Sequence, residues 1–89
     1  MERICIVFGK KPLFSQSIVP DNTDRVWFAE NINDLTYAIE LACYMADKVG
    51  NVEVTIKVTD DDFKDVNYRG IINRMISANP LTHNIVFKS

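Results

Sequence analysis

Residues 33–50, NDLTYAIELACYMADKVG, carry the pattern that decides the fold. Apolar side chains recur here at helical spacing and form one stripe of about 100 degrees. Asn31 or Asn33 is placed to cap the start of the helix, and Gly50 is placed to end it. The sequence therefore predicts an amphipathic helix. Its inward stripe consists of Leu35, Ala38, Ile39, Ala42, Met45, Ala46 and Val49.

Strand patterns lie on both sides of this helix. Residues 3–8, RICIVF, are apolar on both alternating sets, as in a strand buried on both faces. Residues 52–58, VEVTIKV, alternate apolar and polar, which indicates one core face and one wet face. Before the helix, residues 13–19 and 25–30 are further strand candidates, separated by a polar loop.

The remaining elements complete one small α+β domain. Helical spacing predicts a second helix over about residues 66–79, and a last strand places Ile85 and Phe87 on one face with Val86 on the other. The order β-β-α-β-α-β predicts a mixed or antiparallel sheet of about four strands with two helices packed on one face. We expect residues 1–89 to form a single domain.

Composition excludes several classes of protein. The formal net charge is −2, which is neither the basic balance typical of nucleic-acid binding nor the strong acidity of a DNA mimic. No run of apolar residues is long enough to span a bilayer, and the N-terminal residues lack the pattern of a signal peptide. We therefore expect a cytoplasmic protein, whose Cys5 and Cys43 are reduced and packed.

Residues 59–66, TDDDFKDV, raise the question of a metal site. Counted as a calcium-binding loop from Asp60, the run places Lys64, Asp65 and Ile71 where a ligand, a glycine and a bidentate glutamate are required. A polar connection with helix-starting aspartates fits better. Neither a metal nor any other cofactor is expected.

Catalytic residues are also not evident. Nucleophilic catalysis would need a base beside Cys5, and His83 is the only histidine of the chain. Cys5 lies in a strongly apolar run, where a thiol is unreactive. Zinc is excluded by the spacing of two cysteines and one histidine. The sequence therefore predicts a protein that is not an enzyme.

Binding is better supported, by the side of the first helix opposite its apolar stripe. Tyr37, Leu41 and Tyr44 follow one another at i, i+4 and i+7, with Lys48 one turn further on. We call these four residues the tyrosine ridge. The ridge packs either on the second helix of the same chain or on another chain, which would be a second copy or a foreign protein.

Two further groups of residues have alternative interpretations. Trp27 is a core residue or a platform for a partner, and we include it in the candidate partner-binding set. Lys10, Lys11 and Arg25 would bind RNA if the fold brought them to one end of the sheet, as a hairpin at residues 9–12 would permit.

The arrangement of MERICIVF, LFSQSI, DRVWFA, NDLTYAIELACYM and VEVTIKV resembles small early proteins of T-even-type phages, the Dmd- and TifA-type inhibitors of bacterial toxin–antitoxin endoribonucleases. The resemblance spans about residues 1–58. It implies a cytoplasmic, non-enzymatic antagonist that occupies the toxin directly, as Dmd-like proteins do, or acts with bound RNA, as TifA-like proteins do.

The resemblance also implies contact regions, which are DRVWFA and the helix from residue 33 to 49. The last thirty residues have no counterpart in the Dmd pattern, so an added helix could cover the surface that such a protein uses. We expect a phage-encoded counter-defence protein that binds and neutralises a host toxin endoribonuclease. A small RNA-binding domain is the alternative, and a homodimer is possible.

Overall fold

The structure is a computed structural model that describes residues 1–9, 19–59, 68–78 and 85–88. Four strands and two helices lie within these ranges. They are β1 (Glu2–Phe8), β2 (Arg25–Ala29), α1 (Ile32–Val49), β3 (Val52–Val58), α2 (Tyr68–Ala78) and β4 (Ile85–Lys88). The predicted order β-β-α-β-α-β is confirmed for the described residues. Of the strand predicted over residues 13–19, residues 13–18 lie outside them.

The four strands form one sheet in the order β2-β1-β3-β4, and every pair of neighbours is parallel. The prediction of a mixed or antiparallel sheet is therefore wrong. An antiparallel pair can be joined by a tight turn, whereas a parallel pair needs a connection that returns the chain to its starting edge. Residues 9–24 join β1 to β2, and α1 and α2 each return the chain for the next strand. The turn-like residues 9–12 favoured a hairpin that does not form between the described strands.

β1 lies in the interior of the sheet, between β2 and β3. Five consecutive residues of this strand, from Ile4 to Phe8, are buried. Burial on both faces is typical of strands in parallel sheets, so the predicted two-faced burial of this segment is confirmed. Its alternate residues Ile4, Ile6 and Phe8 join the core that the helices cover.

One hydrophobic core unites the sheet with both helices. Ile4 and Ile6 of β1, Val54 of β3, Ile39 of α1 and Ile72 of α2 belong to a single cluster of buried side chains. Because both helices contribute to the same cluster and contact each other, they lie on one face of the sheet. This part of the predicted architecture is confirmed.

α1 begins and ends as its sequence predicts. The Asn31 side chain accepts a hydrogen bond of 2.8 Å from the backbone N–H of Asp34, so Asn31 rather than Asn33 is the N-cap. The Asp34 carboxylate in turn accepts a bond of 3.2 Å from the N–H of Glu30. At the other end, Gly50 has a φ of 91° and donates its N–H to the carbonyl oxygen of Ala46.

The later elements also match their patterns. β3 buries Val52, Val54 and Ile56 and leaves its polar residues half-buried. In β4, Ile85 is buried and Phe87 packs against the core, whereas Val86 is exposed on the other face. The alternation predicted for both strands is confirmed.

Candidate protein-binding surface

The outward side of α1 presents two aromatic side chains to solvent. Tyr37 is 62% exposed and Tyr44 is 61% exposed, and they lie two helical turns apart. Leu41, between them, is half-buried, and Lys48 is exposed. Among the described residues, α2 therefore leaves both tyrosines of the ridge uncovered. This answers the question that the sequence left open.

The fold positions the ridge through the opposite side of the same helix. Leu35, Ala38, Ile39, Ala42 and Ala46 are buried against the sheet, which fixes the rotation of α1 about its axis. With 100 degrees between successive residues, a stripe centred near Ile39 and Ala42 turns Tyr37 and Tyr44 away from the core. The same amphipathic pattern thus specifies both the core and the exposed ridge.

Lys48 is part of the ridge geometry. Its Nζ atom lies 5.5 Å from the centroid of the Tyr44 ring, within the range of a cation–π contact. At an exposed site such a contact contributes about 0.5–1 kcal/mol, enough to favour one orientation of the two side chains. The C-terminal end of the ridge is therefore partly ordered before any partner binds.

Carboxylates border the ridge on one side. Glu40 and Asp47 are exposed, and within the described residues neither makes an ion pair. On the helical wheel they lie about 70 and 90 degrees from the centre of the ridge, on the side of Cys43. With Lys48 the only cation of α1, the ridge and its border are net negative.

A groove lies between the two helices beside this acidic border. It has a volume of about 260 Å³, and Glu40, Cys43, Met75 and Ala78 line it. Its apolar walls come from both helices, while Glu40 supplies a carboxylate at one rim. The ridge, the carboxylates and the groove are continuous across the helical layer.

Trp27 does not join the tyrosine ridge. It lies in β2 in register with Ile6 of β1, and its half-buried side chain packs against the hydrophobic core. Of the two interpretations of this residue, the structure places it in the core role. Its part in binding a partner stays a prediction.

The residues proposed for RNA binding are only partly described. Lys10 and Lys11 lie outside the described residues. Arg25 is exposed, and its Nε atom lies 2.6 Å from the Glu2 Oε1 atom, so its charge is already paired. A second ion pair joins Arg3 and Glu53 on the same sheet at 4.0 Å. The described part of the molecule therefore does not assemble a basic patch around Arg25.

Both cysteines are free and buried, as predicted. Burial raises the pKa of the Cys5 thiol above its ordinary value, and nearby Lys57 opposes this shift in part. The pKa of Cys43 is also raised, first by burial and then by the charge of Glu40. Both thiols are therefore protonated near neutral pH, a poor state for nucleophilic attack. His83, the proposed partner of Cys5, lies outside the described residues.

The aspartates of residues 60–65 also lie outside the described residues, so the structure does not bear on their role. Within the ranges that it does describe, no three histidine, cysteine, aspartate or glutamate side chains are grouped so that they could hold a metal ion.

Sequence reasoning missed the acidic border and the groove. Glu40 and Asp47 could have been found by extending the helical wheel beyond its apolar residues, because their positions follow from 100-degree spacing alone. The groove could not have been found in this way. Met75 and Ala78 face α1 only because of the angle and separation at which two helices pack on the sheet.

Comparisons with protein-family models, with curated proteins and with solved structures found no match. Neither described helix combines the length and the apolar character needed to cross a bilayer.

Proposed function

We propose that this protein is a non-enzymatic, antitoxin-like counter-defence protein of a phage, and that it neutralises a host toxin–antitoxin endoribonuclease by binding it through the tyrosine ridge. The class of partner comes from the resemblance to Dmd- and TifA-type inhibitors. The binding surface comes from the geometry of α1.

The observation that carries the proposal is the exposure of Tyr37 and Tyr44 on a helix whose opposite side is fully packed. Leaving large aromatic rings in water forgoes the free energy of their burial, and tyrosine is enriched in the central parts of interfaces. Its ring supplies a large rigid contact area while its hydroxyl remains able to form hydrogen bonds. A surface of this composition is suited to a protein partner.

The charges near the ridge favour protein over RNA. Glu40 and Asp47 would face phosphate groups with like charge, whereas RNA-binding grooves need an excess of lysine and arginine. Arg25, the described member of the alternative RNA-binding set, is engaged by Glu2. Direct occupation of the toxin is therefore the mode that these residues support best.

Inhibition of purified toxin endoribonucleases tests the proposal. A panel of such enzymes would cleave a fluorogenic RNA while the protein is titrated into each reaction. We expect stoichiometric inhibition of at least one enzyme by the wild-type protein, and loss of inhibition in the double variant Tyr37→Ser/Tyr44→Ser.

Val86→Thr is the matched control, because Val86 is 51% exposed on the sheet face away from the helices. This variant should inhibit as the wild type does. If no toxin endoribonuclease is bound or inhibited, the proposal is wrong. If the inhibition instead requires added RNA and is lost in Arg25→Ala, the RNA-dependent alternative is correct.

A further inference from the structure

The two helices that form the outer layer of this protein carry opposite charges. α1 contains Asp34, Glu40, Asp47 and Lys48 and is net negative by two, whereas α2 contains Arg69 and Arg74 and no acidic residue. All six side chains are exposed. Within the described residues, none of them takes part in an ion pair. Among the described residues, Glu40, Asp47, Arg69 and Arg74 therefore have no charged partner.

The opposite charges lie side by side on parallel helices. Because all four strands are parallel and each helix returns the chain to the start of the next strand, α1 and α2 run in the same direction. A two-fold axis between two such layers, parallel to the helices, would bring α1 of one copy against α2 of the other, twice. A two-fold axis perpendicular to the helices would instead bring α1 against α1, with Glu40 and Asp47 facing like charges.

We propose that the helical layer is a self-complementary docking surface for a second copy of this chain, in which the tyrosine ridge of each copy packs on α2 and the interhelical groove of the other. On the helical wheel of α2, Arg74 lies about 160 degrees from the buried Ile72, so it points outward and faces Glu40 on α1 of the second copy. Arg69 lies about 140 degrees from Arg74 and adds to the positive charge of α2 from the side of the helix. The ridge supplies the apolar contact and the charges select the pairing of helices.

The area of the layer predicts a weak, reversible dimer. α1 is about 27 Å long and α2 about 17 Å, and each is about 10 Å wide, so the footprint is about 450 Å² per copy. Two copies would bury about 900 Å², which is the size of transient rather than obligate interfaces. The association should therefore appear at high protein concentration and weaken as salt screens the charges.

This dimer does not depend on the proposed function, but it uses the same ridge. Self-association and binding to an endoribonuclease would exclude each other. At high protein concentration the tyrosine ridge would be buried in the dimer. Dilution or a tighter partner would shift the equilibrium to the monomer and expose the ridge.

Charge-reversed variants studied by sedimentation velocity test the dimer. One variant, Glu40→Arg/Asp47→Arg, makes both helices basic, and the other, Arg69→Glu/Arg74→Glu, makes both acidic. Each alone should be monomeric at concentrations where the wild type dimerises, with self-association weakened about tenfold or more by the reversal of several ion pairs. Mixed in equal amounts, the two variants should form a heterodimer, because both pairs of facing helices regain opposite charges.

Several results would overturn the proposal. One is a wild type that stays monomeric at about 500 μM in low salt, a concentration at which even a weak, reversible dimer is partly formed. Another is a mixture of the two variants that remains monomeric although circular dichroism shows both to be folded. Normal dimerisation of Arg69→Glu/Arg74→Glu alone would also exclude the pairing of α1 with α2.

Two single substitutions separate the effect of the helical layer on dimerisation from the effect of net charge. Glu40→Arg should weaken the dimer, whereas Asp21→Arg changes the net charge equally at an exposed position outside both helices and should not. Equal weakening by the two variants would mean that overall charge, and not the helical layer, governs association.

Discussion

The two sides of α1 differ in what they contribute to the molecule. The inner side consists of small and branched aliphatic residues and is buried almost completely against the sheet. The outer side carries the two exposed tyrosines of the tyrosine ridge, bordered by carboxylates. Substitutions on the inner side should therefore change stability, whereas those on the outer side should change binding and leave stability nearly intact.

Leu35→Ala is expected to have the largest effect on stability. Leu35 is fully buried on the inner side of α1, and shortening a buried leucine removes apolar contacts and leaves a cavity. We expect a loss of about 2–5 kcal/mol in the free energy of unfolding, measured by urea denaturation.

Tyr37→Ala is the matched control on the same helix. It removes a larger side chain two residues away, but from the exposed side, so it should change the free energy of unfolding by no more than about 0.5 kcal/mol. Similar losses for the two variants would show that the sides of α1 are not distinct.

Alkaline pH should weaken the folded state through the cysteines. Folding raises the pKa of both thiols, so their stabilising effect is complete below the ordinary cysteine pKa. Above that value the unfolded chain loses thiol protons first, and the free energy of unfolding falls until the folded thiols also ionise. The slope is at most about 1.4 kcal/mol per pH unit for each thiol.

The double variant Cys5→Ala/Cys43→Ala isolates this effect. Its difference in stability from the wild type should shrink as the pH rises from about 8 to about 10, through the range where free cysteines ionise. A constant difference across that range would mean that the thiols titrate equally in both states.

Asn31→Ala is expected to have a smaller effect. It removes the side-chain oxygen that accepts the N–H of Asp34 at the start of α1, which typically costs about 1 kcal/mol. Asn33→Ala, two residues later in the same turn, does not remove the cap and should change stability little. Equal costs for the two substitutions would show that the cap is shared or misassigned.

A small effect on stability is also expected for Tyr37→Ser/Tyr44→Ser, at about 0.5–1 kcal/mol, because it removes two exposed rings and the contact between Lys48 and Tyr44. This variant should nevertheless lose binding and dimerisation, since it removes the apolar part of the tyrosine ridge. A large loss of stability would show that both tyrosines contribute to the packing of the folded chain and not only to binding.

Much of this difference between the inner and outer sides of α1 could be predicted from the sequence. The helical spacing of the apolar residues from Leu35 to Val49 predicted both the buried stripe and the opposite ridge, because a single angular period determines both. The stripe is wrong at its last residue, since Val49 is 61% exposed at the end of the helix. The alternation in β3 and β4 and the two-faced burial of β1 were equally accessible. These features depend on neighbours in the chain.

The direction of the strands could not be obtained in the same way. Pairing in a sheet depends on which distant segments meet, and the turn-like residues 9–12 favoured an antiparallel pair, whereas the described neighbours β1 and β2 are parallel. The two-faced burial of β1 and the alternation of helices with strands were signals for a parallel sheet. These two signals should have counted for more in the prediction than the turn-like residues 9–12.

The candidate site was predictable to a similar extent. Exposure of the tyrosine ridge followed only from the fold, which places α2 beside α1 and not over its outward side. The opposite charges of the two helices can be counted from the sequence, but the placement of the helices side by side comes from the fold.

Chemical modification of the tyrosine ridge in a complex tests the central claim most directly. Tyr37 and Tyr44 would be nitrated with tetranitromethane in the dilute protein, alone and with an inhibited endoribonuclease, and each site quantified by peptide mass spectrometry. Both tyrosines should react readily in the free protein and be strongly protected in the complex. Equal nitration in the two samples would contradict the assignment of this side of α1 as the binding surface.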